Sequence, residues 1–254
     1  MVISFNNLGN YGRLGNQMFQ YALIRSVANK NNYEMVIPNG NYDLLKLNIQ
    51  KQFGQTNKNT YGEKYFHFNE EVFSIGDNTD FYGYFQSYKY FDNIRDILLK
   101  DFSMSSAIEE FSNNKIQQIK NQYNTNQIVS LHIRRKDYLL YPEIHPVCTM
   151  KYYKKCMSCF EDSIFYIFAD DLIWAKENFK GNQFIFSNFD NITDLCLMMK
   201  CNHNIVSNSS YSWWATYLNQ NINKIIKYPS IWFGKKGPQD LQDLIPTSWE
   251  KEEV

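Results

Sequence analysis

Apolar residues follow two alternating patterns along this chain: short runs typical of buried strands, and stripes at helical spacing. Residues 2–5 form the first run, and a glycine-rich loop follows at 6–16. The first stripe predicts a helix whose apolar face comprises Met18, Phe19, Ala22, Leu23 and Val27. Residues 33–37 form a second run, which a Pro-Asn-Gly turn stops. The order strand, glycine loop, helix, strand predicts a βαβ unit.

The same alternation restarts after residue 127. Further predicted strands span residues 128–133, 163–168, 183–186, 203–206 and 224–227. Predicted helices span residues 150–159, 172–179, 193–200 and 211–218. Repeated β–α units of this length predict an α/β fold with a parallel sheet and helices on both of its faces.

A polar stretch at residues 122–127 separates the two halves and follows a predicted helix at 105–121. We therefore expect two domains, residues 1–122 and residues 123–254. Residues 42–80 show no clear pattern, whereas residues 81–91 are dense in aromatic side chains that could line a cleft.

Composition narrows the class of partner. The 254 residues include 26 basic and 26 acidic side chains, so the formal net charge is zero. This balance argues against a nucleic-acid binder or a polybasic membrane protein, and any anion binding must come from a local cluster. The N-terminus lacks the pattern of a signal peptide, and no apolar run approaches the length of a membrane span. We expect a cytoplasmic protein with reduced cysteines, and peripheral docking at the inner face of the membrane stays open.

A local cluster follows the apolar strand at 128–133. His132 lies inside this strand, and Arg134 and Arg135 come directly after it. Adjacent guanidiniums leaving a buried strand are costly unless an anion meets them, and open α/β sheets bind ligands beyond the carboxyl ends of their strands. Alternation places His132 and Arg134 on one face, so we expect them to share a ligand. Arg134 would be a bidentate phosphate contact whose guanidinium is held by Asp137. The alternative is an ordinary ion pair at a strand end.

Two other predicted strands end in polar clusters, which suggests a single crevice along the sheet edge. Ser209 and Ser210 precede a helix, so their hydroxyls and the helix N–H groups can bind an anion; helix capping is a compatible alternative. Asp170 and Asp171 can form an acid/base pair, a metal site or a helix cap. A carboxylate is also the natural acceptor for the N1–H and N2–H₂ edge of guanine.

Two motifs bear on rival functions. The loop Gly9-x-x-Gly12-x-x-Gly15 lacks the dinucleotide spacing G-x-G-x-x-G, so a nicotinamide-dependent oxidoreductase is disfavoured but stays a rival. Its glycines still permit close approach of the backbone to a ligand. Cys156-x-x-Cys159 suggests zinc, but both cysteines fall in a predicted helix, and we favour ordinary thiols without a bound metal. A glycan-binding module that uses the aromatic run is the rival without catalysis.

Four stretches, in order and spread nearly end to end, carry a specific signature. They are Gly12-Arg-Leu-Gly-Asn-Gln-Met-Phe-Gln-Tyr-Ala22, His132-Ile-Arg-Arg-Lys-Asp-Tyr138, Phe168-Ala-Asp-Asp-Leu-Ile-Trp-Ala-Lys176 and His203-Asn-Ile-Val-Ser-Asn-Ser-Ser-Tyr-Ser-Trp-Trp-Ala215. Together they resemble the bacterial α-1,2-fucosyltransferases of glycosyltransferase family 11, within the fucosyltransferase superfamily. Tyr82-Gly-Tyr-Phe-Gln-Ser87 is a weaker echo of the same family.

The resemblance implies a GT-B fold, with two Rossmann-like domains facing a central cleft, the acceptor side first and the GDP-fucose side second. It implies an inverting, metal-independent transfer of L-fucose, without a cofactor, from GDP-β-L-fucose to the 2-hydroxyl of a terminal galactose. The expected partners are GDP-L-fucose and a galactose-terminated glycan, and the expected setting is the synthesis of surface glycan or O-antigen. Lys136 and Arg13 replace glycines usual in the family, so another acceptor or linkage stays open.

The resemblance also implies roles for individual residues. Those expected to bind the donor are His132, Arg134, Asp137, Asp170, Asp171, Ser209, Ser210 and Gly15. Those expected to act in catalysis are Arg134, Asn16 and Arg13. Among them, Arg134 is expected at the β-phosphate, and Ser209 and Ser210 at the pyrophosphate. His132 and one of the two aspartates are expected at the guanosine.

Overall fold

Two parallel β-sheets, one in each half of the chain, organise the structure. A computed structural model describes residues 1–254. The chain divides into two units, Met1–Ser105 with Asp240–Pro246, and Ser106–Gln239 with Thr247–Val254. Each unit contains one of the sheets, with helices between its strands. The predicted α/β class with two Rossmann-like units is confirmed.

The first unit contains a four-stranded sheet with the order β2-β1-β4-β3. Its strands are β1 (Val2–Ser4), β2 (Glu34–Val36), β3 (Asn59–Gly62) and β4 (Thr79–Tyr82), and its helices are α1 (Leu14–Asn31) and α2 (Arg95–Asp101). The predicted βαβ unit is confirmed, since β1 pairs in parallel with β2. Residues 42–80 supply β3, a polar edge strand whose residues show no apolar alternation.

Helix α1 is largely buried, and the predicted apolar stripe lies inside. The helix stops because Asn32 adopts a left-handed conformation with φ +55°, in which its N–H donates to the carbonyl of Ala28. Asparagine tolerates this conformation better than most residues, so the asparagine-rich segment ends the helix as its sequence suggests.

The second unit contains a six-stranded parallel sheet with the order β10-β9-β8-β5-β6-β7. Its strands are β5 (Ile128–Ile133), β6 (Ile164–Ala169), β7 (Phe184–Phe186), β8 (His203–Ile205), β9 (Ile226–Pro229) and β10 (Glu250–Glu252). Its helices are α3 (Ser106–Tyr123), α4 (Met150–Met157), α5 (Leu172–Asn178), α6 (Asn191–Lys200) and α7 (Ser210–Leu218). Counted from β7, the strands run third, second, first, fourth, fifth, sixth, which is the doubly wound order.

This strand order fixes where a ligand can bind in the second unit. All six residues of β5 are buried, and β5 pairs with both β6 and β8. Strands β6 and β7 lie on one side of β5, and β8, β9 and β10 lie on its other side. The two connections therefore diverge, and a crevice opens at the carboxyl ends of these neighbouring strands.

Helix α3 belongs to the second unit, so the division between the units precedes it. It packs against α6, where Lys200 pairs with Glu109 at 2.7 Å, and against Phe189, whose ring centre lies 5.1 Å from that of Phe111. The polar stretch at 122–127 that suggested domains 1–122 and 123–254 is the turn between α3 and β5. Polar composition marks a surface turn as readily as a linker, which is why it does not locate the division. The assignment of donor and acceptor sides to the two domains stays a prediction.

Two elements near the C-terminus had no apolar pattern to predict them. Strand β10 is a charged edge strand, and Nζ of the buried Lys227 in β9 lies 2.6 Å from Glu250 and 2.9 Å from Glu252. The segment Asp240–Pro246 joins the first unit through Asp243, whose carboxylate accepts from the N–H of Phe68 at 3.0 Å and pairs with Lys89 at 2.5 Å. None of the helices combines the length and apolarity that crossing a bilayer requires.

Candidate active site

The carboxyl ends of β5 and β8 bring His132 and Ser207 together. Nδ1 of His132 lies 2.8 Å from Oγ of Ser207, and both side chains are buried. Burial, helped by the charge of Arg134, lowers the pKa of His132 to about 3, because a desolvated imidazolium is unfavourable. The imidazole is therefore neutral at physiological pH, and its second nitrogen can form one hydrogen bond with a ligand.

Arg134 lies directly beyond β5 with its guanidinium held on two sides. Nη2 is 2.7 Å from Oδ2 of Asp137, and Nη1 is 3.4 Å from Oδ2 of Asp170. The guanidinium carbon lies 5.4 Å from the centre of the Tyr138 ring. These contacts fix the plane of the guanidinium, and because it carries five N–H donors, some remain for an anion. The structure thus brings together three of the predicted site residues.

Asp170 holds the turn that carries Arg134. Its two carboxylate oxygens accept from the backbone N–H of Arg135 at 2.9 Å and of Lys136 at 3.2 Å. A carboxylate that bridges two backbone donors and a guanidinium fixes the turn after β5. Since each of its oxygens already accepts a hydrogen bond, this residue is poorly placed to accept the paired donors of guanine.

Asp171 takes the capping role that its position before a helix suggested. Its Oδ1 accepts from the N–H of Trp174 at 3.2 Å at the start of α5. Its Oδ2 lies 3.7 Å from Nε of Arg135, and the Arg135 guanidinium lies 4.0 Å from the centre of the Trp174 ring. Arg135 is therefore engaged beside α5, away from the contacts of Arg134, as the alternation along the strand predicts.

Ser209 and Ser210 begin α7 at the carboxyl end of β8. Ser209 is the N-cap, and its Oγ accepts from the N–H of Tyr211 at 3.4 Å. Amides in the first turn of a helix have no partner within the helix, and with the helix dipole they favour an anion. The capping role and the anion-binding role predicted for these serines are both compatible with this position.

Tyr138 joins the β5 cluster to the β8 cluster. Its hydroxyl donates to the carbonyl of Asn208 at 3.1 Å, while its ring lies beside Arg134. Burial raises the pKa of Tyr138 to about 12, so it stays a donor. Nδ2 of Asn208 in turn donates to the carbonyls of Pro146 at 2.8 Å and Trp232 at 2.9 Å. Sequence reasoning gave no role to Tyr138 or Asn208, although both lie inside the quoted motifs.

Asp194 is a further acidic residue at this edge of the sheet, and sequence reasoning missed it. It accepts a short hydrogen bond from Oγ of Ser187, which follows β7. Burial raises the pKa of Asp194 to about 7, because no cation compensates the lost solvation. The available signal was one acidic residue inside an otherwise apolar helix. The N-terminus of α6, which carries this residue, reaches the crevice through Tyr211, whose hydroxyl donates to the carbonyl of Asn191 at 2.5 Å and whose ring lies 5.5 Å from that of His132.

In the first unit, the glycine loop presents Arg13, Gly15 and Asn16 at the start of α1. Gly12 has φ +99°, and a Cβ there would lie 2.5 Å from Nδ2 of Asn16, so only glycine fits. Nε2 of Gln86 donates to Oδ1 of Asn16 at 2.8 Å, which leaves the amide N–H groups of Asn16 pointing away from Gln86. Arg13 is exposed at the N-cap position, and Gly15 is buried in the first turn.

The predicted site residues therefore form two sets, each inside one unit. The second unit groups His132, Arg134, Asp137, Asp170, Asp171, Ser209 and Ser210, and the first groups Arg13, Gly15 and Asn16. No three His, Cys, Asp or Glu side chains converge in an arrangement that could hold a metal ion. Cys156 is buried and Cys159 exposed, and both are free thiols.

Comparison with known families accounts for this arrangement. The sequence profile described as Glycosyl transferase family 11 matches residues 3–231. The chain belongs to glycosyltransferase family 11. The resemblance inferred from the four motifs is thereby confirmed, and the oxidoreductase alternative has no support.

Characterised relatives of this family 11 chain come from bacteria and mammals. The O-antigen biosynthesis glycosyltransferase WbnK of Escherichia coli is 33% identical over 172 residues, which cover 63% of this chain and 57% of that protein. The alpha-1,2-colitosyltransferase of Escherichia coli is 27% identical over 94% of this chain and 95% of its own length. The galactoside 2-alpha-L-fucosyltransferase Sec1 of Mus musculus is 26% identical over 82% of this chain and 62% of that protein. The chain thus spans less than two thirds of two of these relatives.

Solved structures agree with the fold of a family 11 enzyme. The crystal structure of POFUT1 in complex with GDP superposes with a TM-score of 0.55 at 11% identity and covers 89% of this chain and 97% of that one. At this identity the likeness concerns the fold alone.

Proposed function

We propose that this protein is an inverting galactoside α-1,2-fucosyltransferase that moves L-fucose from GDP-β-L-fucose to the 2-hydroxyl of a terminal galactose. Family membership and the names of the relatives support the reaction class. The observation that carries the proposal is the fixed guanidinium of Arg134 at the switch point between β5 and β8, with neutral His132 and the start of α7 close by. Such a place binds a diphosphate in doubly wound sheets.

The mechanism follows from where charge develops. In an inverting transfer, the galactose 2-hydroxyl oxygen bonds to the anomeric carbon of fucose as the bond from that carbon to the β-phosphate oxygen breaks, and the hydroxyl proton passes to an oxygen of the departing diphosphate. The sugar passes through an oxocarbenium-like state, and GDP leaves with extra negative charge on its β-phosphate. The guanidinium of Arg134 and the amides at the start of α7 would stabilise this charge more in the transition state than in the bound donor. Their positive charge is the reason to expect activity without a metal.

For the guanine base, we propose Asp194 as the reader in place of Asp170 or Asp171. Asp170 accepts two backbone hydrogen bonds and pairs with Arg134, and Asp171 caps α5 and lies beside Arg135. Asp194, in contrast, is a partly buried acid with a raised pKa and no cationic partner. The N1–H and N2–H₂ donors of guanine would supply the missing compensation.

This assignment is tested by comparing GDP with IDP, which lacks the 2-amino group. The wild type should bind GDP more tightly, and Asp194→Asn should lose most of that preference, measured by calorimetry. Asp171→Asn serves as the matched control, because its capping oxygen is retained. Equal preference in wild type and Asp194→Asn would contradict the role of Asp194.

A second donor deserves a direct comparison, because a relative aligned over almost its whole length is a colitosyltransferase. Colitose is fucose without the 3-hydroxyl. A site that hydrogen-bonds this hydroxyl rejects the deoxy sugar strongly, by up to about 10⁴-fold, whereas an apolar pocket discriminates only about 10–200-fold. The ratio of kcat/KM for GDP-fucose and GDP-colitose therefore identifies the donor.

The function itself is tested with the purified chain, GDP-L-fucose and lactose. GDP release that requires both substrates, and a product whose NMR spectrum shows an α-fucose on O2 of galactose, are the expected results. An otherwise identical acceptor lacking the galactose 2-hydroxyl is the control and should not react. Transfer to that control, or no transfer to any galactoside, would contradict the proposed reaction.

A further inference from the structure

Three tyrosines form a stacked group in the first unit: Tyr82 ends β4, Tyr84 lies in the loop that follows it, and Tyr11 lies in the loop after β1. The ring of Tyr11 lies 4.5 Å from that of Tyr84 with an interplanar angle of 22°, and 5.1 Å from that of Tyr82 with an angle of 30°. Tyr82 is 43% exposed, and the other two are half-buried. We call these three residues the tyrosine platform. Because β1 and β4 are parallel neighbours, the platform lies at the carboxyl edge of this sheet.

The backbone under the platform is strained. Gly83 has φ +151°, and a Cβ there would lie 2.4 Å from Cβ of Glu63. Phe85 adopts φ +52°, a left-handed conformation that a bulky residue rarely takes. Strain of this kind persists only where surrounding contacts impose it, and it concentrates at binding sites.

Two polar side chains impose this conformation, the partly buried Glu63 and the buried Gln20. The carboxylate of Glu63 accepts from the N–H of Tyr84 and of Phe85, both at 2.8 Å. Nε2 of Gln20 donates to the carbonyl of Tyr11 at 2.9 Å and of Gly83 at 3.2 Å, so one amide ties the two loops together. Burial raises the pKa of Glu63, which has no cation beside it. A desolvated acid is thus used to orient a loop whose aromatic rings stay partly in solvent.

The loop that carries Tyr84 also carries Gln86, the hydrogen-bond partner of the predicted catalytic residue Asn16. Gln86 follows Phe85 directly, and its amide holds Asn16 at 2.8 Å. Asn16, which is predicted to act in catalysis, and the aromatic rings are therefore positioned by the same short segment. The hydroxyls of Tyr82 and Tyr84 also lie close to that of Tyr11, so the stacked rings carry a group of polar atoms at one edge.

We propose that the tyrosine platform binds the terminal galactose of the acceptor, with the apolar face of the pyranose ring against a tyrosine ring. The inference rests on the proposed function and names the site of its second substrate. Galactose suits such a surface, because its axial 4-hydroxyl leaves the C–H groups at carbons 3, 4 and 5 on one face. A partly exposed ring supplies apolar area at low entropic cost, and tyrosine hydroxyls can bond the hydroxyls around the sugar.

The test compares Tyr82→Ala and Tyr84→Ala with the corresponding phenylalanine variants. Both alanine variants keep the Glu63 hydrogen bonds, which involve only backbone N–H groups. Each should raise the acceptor KM roughly three- to tenfold, the usual effect of losing one aromatic contact. The KM for GDP-fucose and kcat should stay unchanged, and the phenylalanine variants should retain most acceptor affinity. Tyr65→Ala is the matched control, since Tyr65 is 54% exposed in the same unit but stacks on His67 instead.

An unchanged acceptor KM in both alanine variants would overturn the proposal, as would an equal rise in Tyr65→Ala. Failure of the proposed function is distinguished by a binding experiment without the donor. If no galactoside is fucosylated, saturation-transfer NMR with methyl β-galactoside still reports on the platform. Signals present with the wild type and lost in the double alanine variant support it, and equal signals in both proteins overturn it. Thermal melts of every variant separate loss of binding from loss of folding.

Discussion

Replacing Arg134 by alanine would leave the carboxylates of Asp137 and Asp170 at the carboxyl end of β5 without the cation they share. Arg134 lies 2.7 Å from the first and 3.4 Å from the second, and its side chain is 17% exposed. The change therefore removes the donors proposed for the leaving phosphate and adds unpaired negative charge where the diphosphate is expected. Both effects weaken donor binding, and the first also slows the chemical step.

The rate should suffer far more than the fold. Loss of one donor aimed at a developing oxyanion typically lowers kcat by about 10²–10³. The Arg134–Asp137 pair contributes little to stability, about 1 kcal/mol or less, because the Asp137 side chain is 37% exposed and water can solvate it. Asp170 keeps the backbone N–H groups of Arg135 and Lys136 as donors when Arg134 is lost. A loss of about 1 kcal/mol corresponds to a decrease of a few degrees, roughly 2–4 °C, in Tm for a chain of this size.

Initial rates of GDP release at saturating lactose, with thermal melts of each variant, measure the two quantities. Arg134→Lys keeps the charge without the planar fork and should fall between wild type and alanine. The double variant Arg134→Ala with Asp137→Asn is the matched control: if the unpaired carboxylate caused the loss, activity recovers, and if the missing guanidinium did, it does not. A folded Arg134→Ala protein within about tenfold of the wild-type rate would refute the role given to this residue.

Three other outcomes follow from the structure. Asp194→Asn should change the pH dependence of stability. The folded pKa of about 7 exceeds the usual value near 4, so folding favours the protonated acid, and the stability of the wild type should fall as the pH rises from about 4 to 7. The variant should lack this trend, and parallel curves of Tm against pH for the two proteins would refute the prediction. Lys227→Met leaves Glu250 and Glu252 without their buried cation and should lower the free energy of unfolding by about 2 kcal/mol. This cost is smaller than that of breaking a fully buried ion pair, because Glu250 is 54% exposed. An unchanged midpoint of urea unfolding would contradict the prediction. Transfer should persist in excess EDTA, since Arg134 and the start of α7 supply the positive charge; a strict need for Mg²⁺ or Mn²⁺ would count against the site.

The cluster after β5 could be predicted from sequence because its contacts are local. Arg134 and Asp137 are three residues apart in the sequence, and the apolar composition of residues 128–133 predicts a buried strand. Asp171 caps the helix that begins at the next residue, an interaction that capping preferences alone suggest. Ligands bind beyond the carboxyl ends of parallel strands, and this rule predicted that the residues following β5 and β8 lie at one site.

The remaining features depend on contacts between distant parts of the chain. Gln86 and Asn16 are 70 residues apart, and neither side chain indicates the other. In the sequence, Asp194 is one acidic residue in a mostly apolar helix. Its hydrogen bond with Ser187 and its desolvation become visible only in the folded structure. Strands β3 and β10 are polar at the edges of their sheets, where backbone pairing does not require apolar side chains, so periodicity could not find them.

The placement of Asp240–Pro246 with the first unit has a practical consequence for protein engineering. Because Asp243 bonds the backbone of Phe68 and pairs with Lys89, this segment has to match the N-terminal sequence rather than the sequence that flanks it. A chimera that exchanges the first unit between two relatives by one junction near residue 105 would combine an N-terminal sequence from one parent with an Asp243 segment from the other. Swaps made with additional junctions on either side of residues 240–246 keep these partners together and should yield soluble hybrids more often.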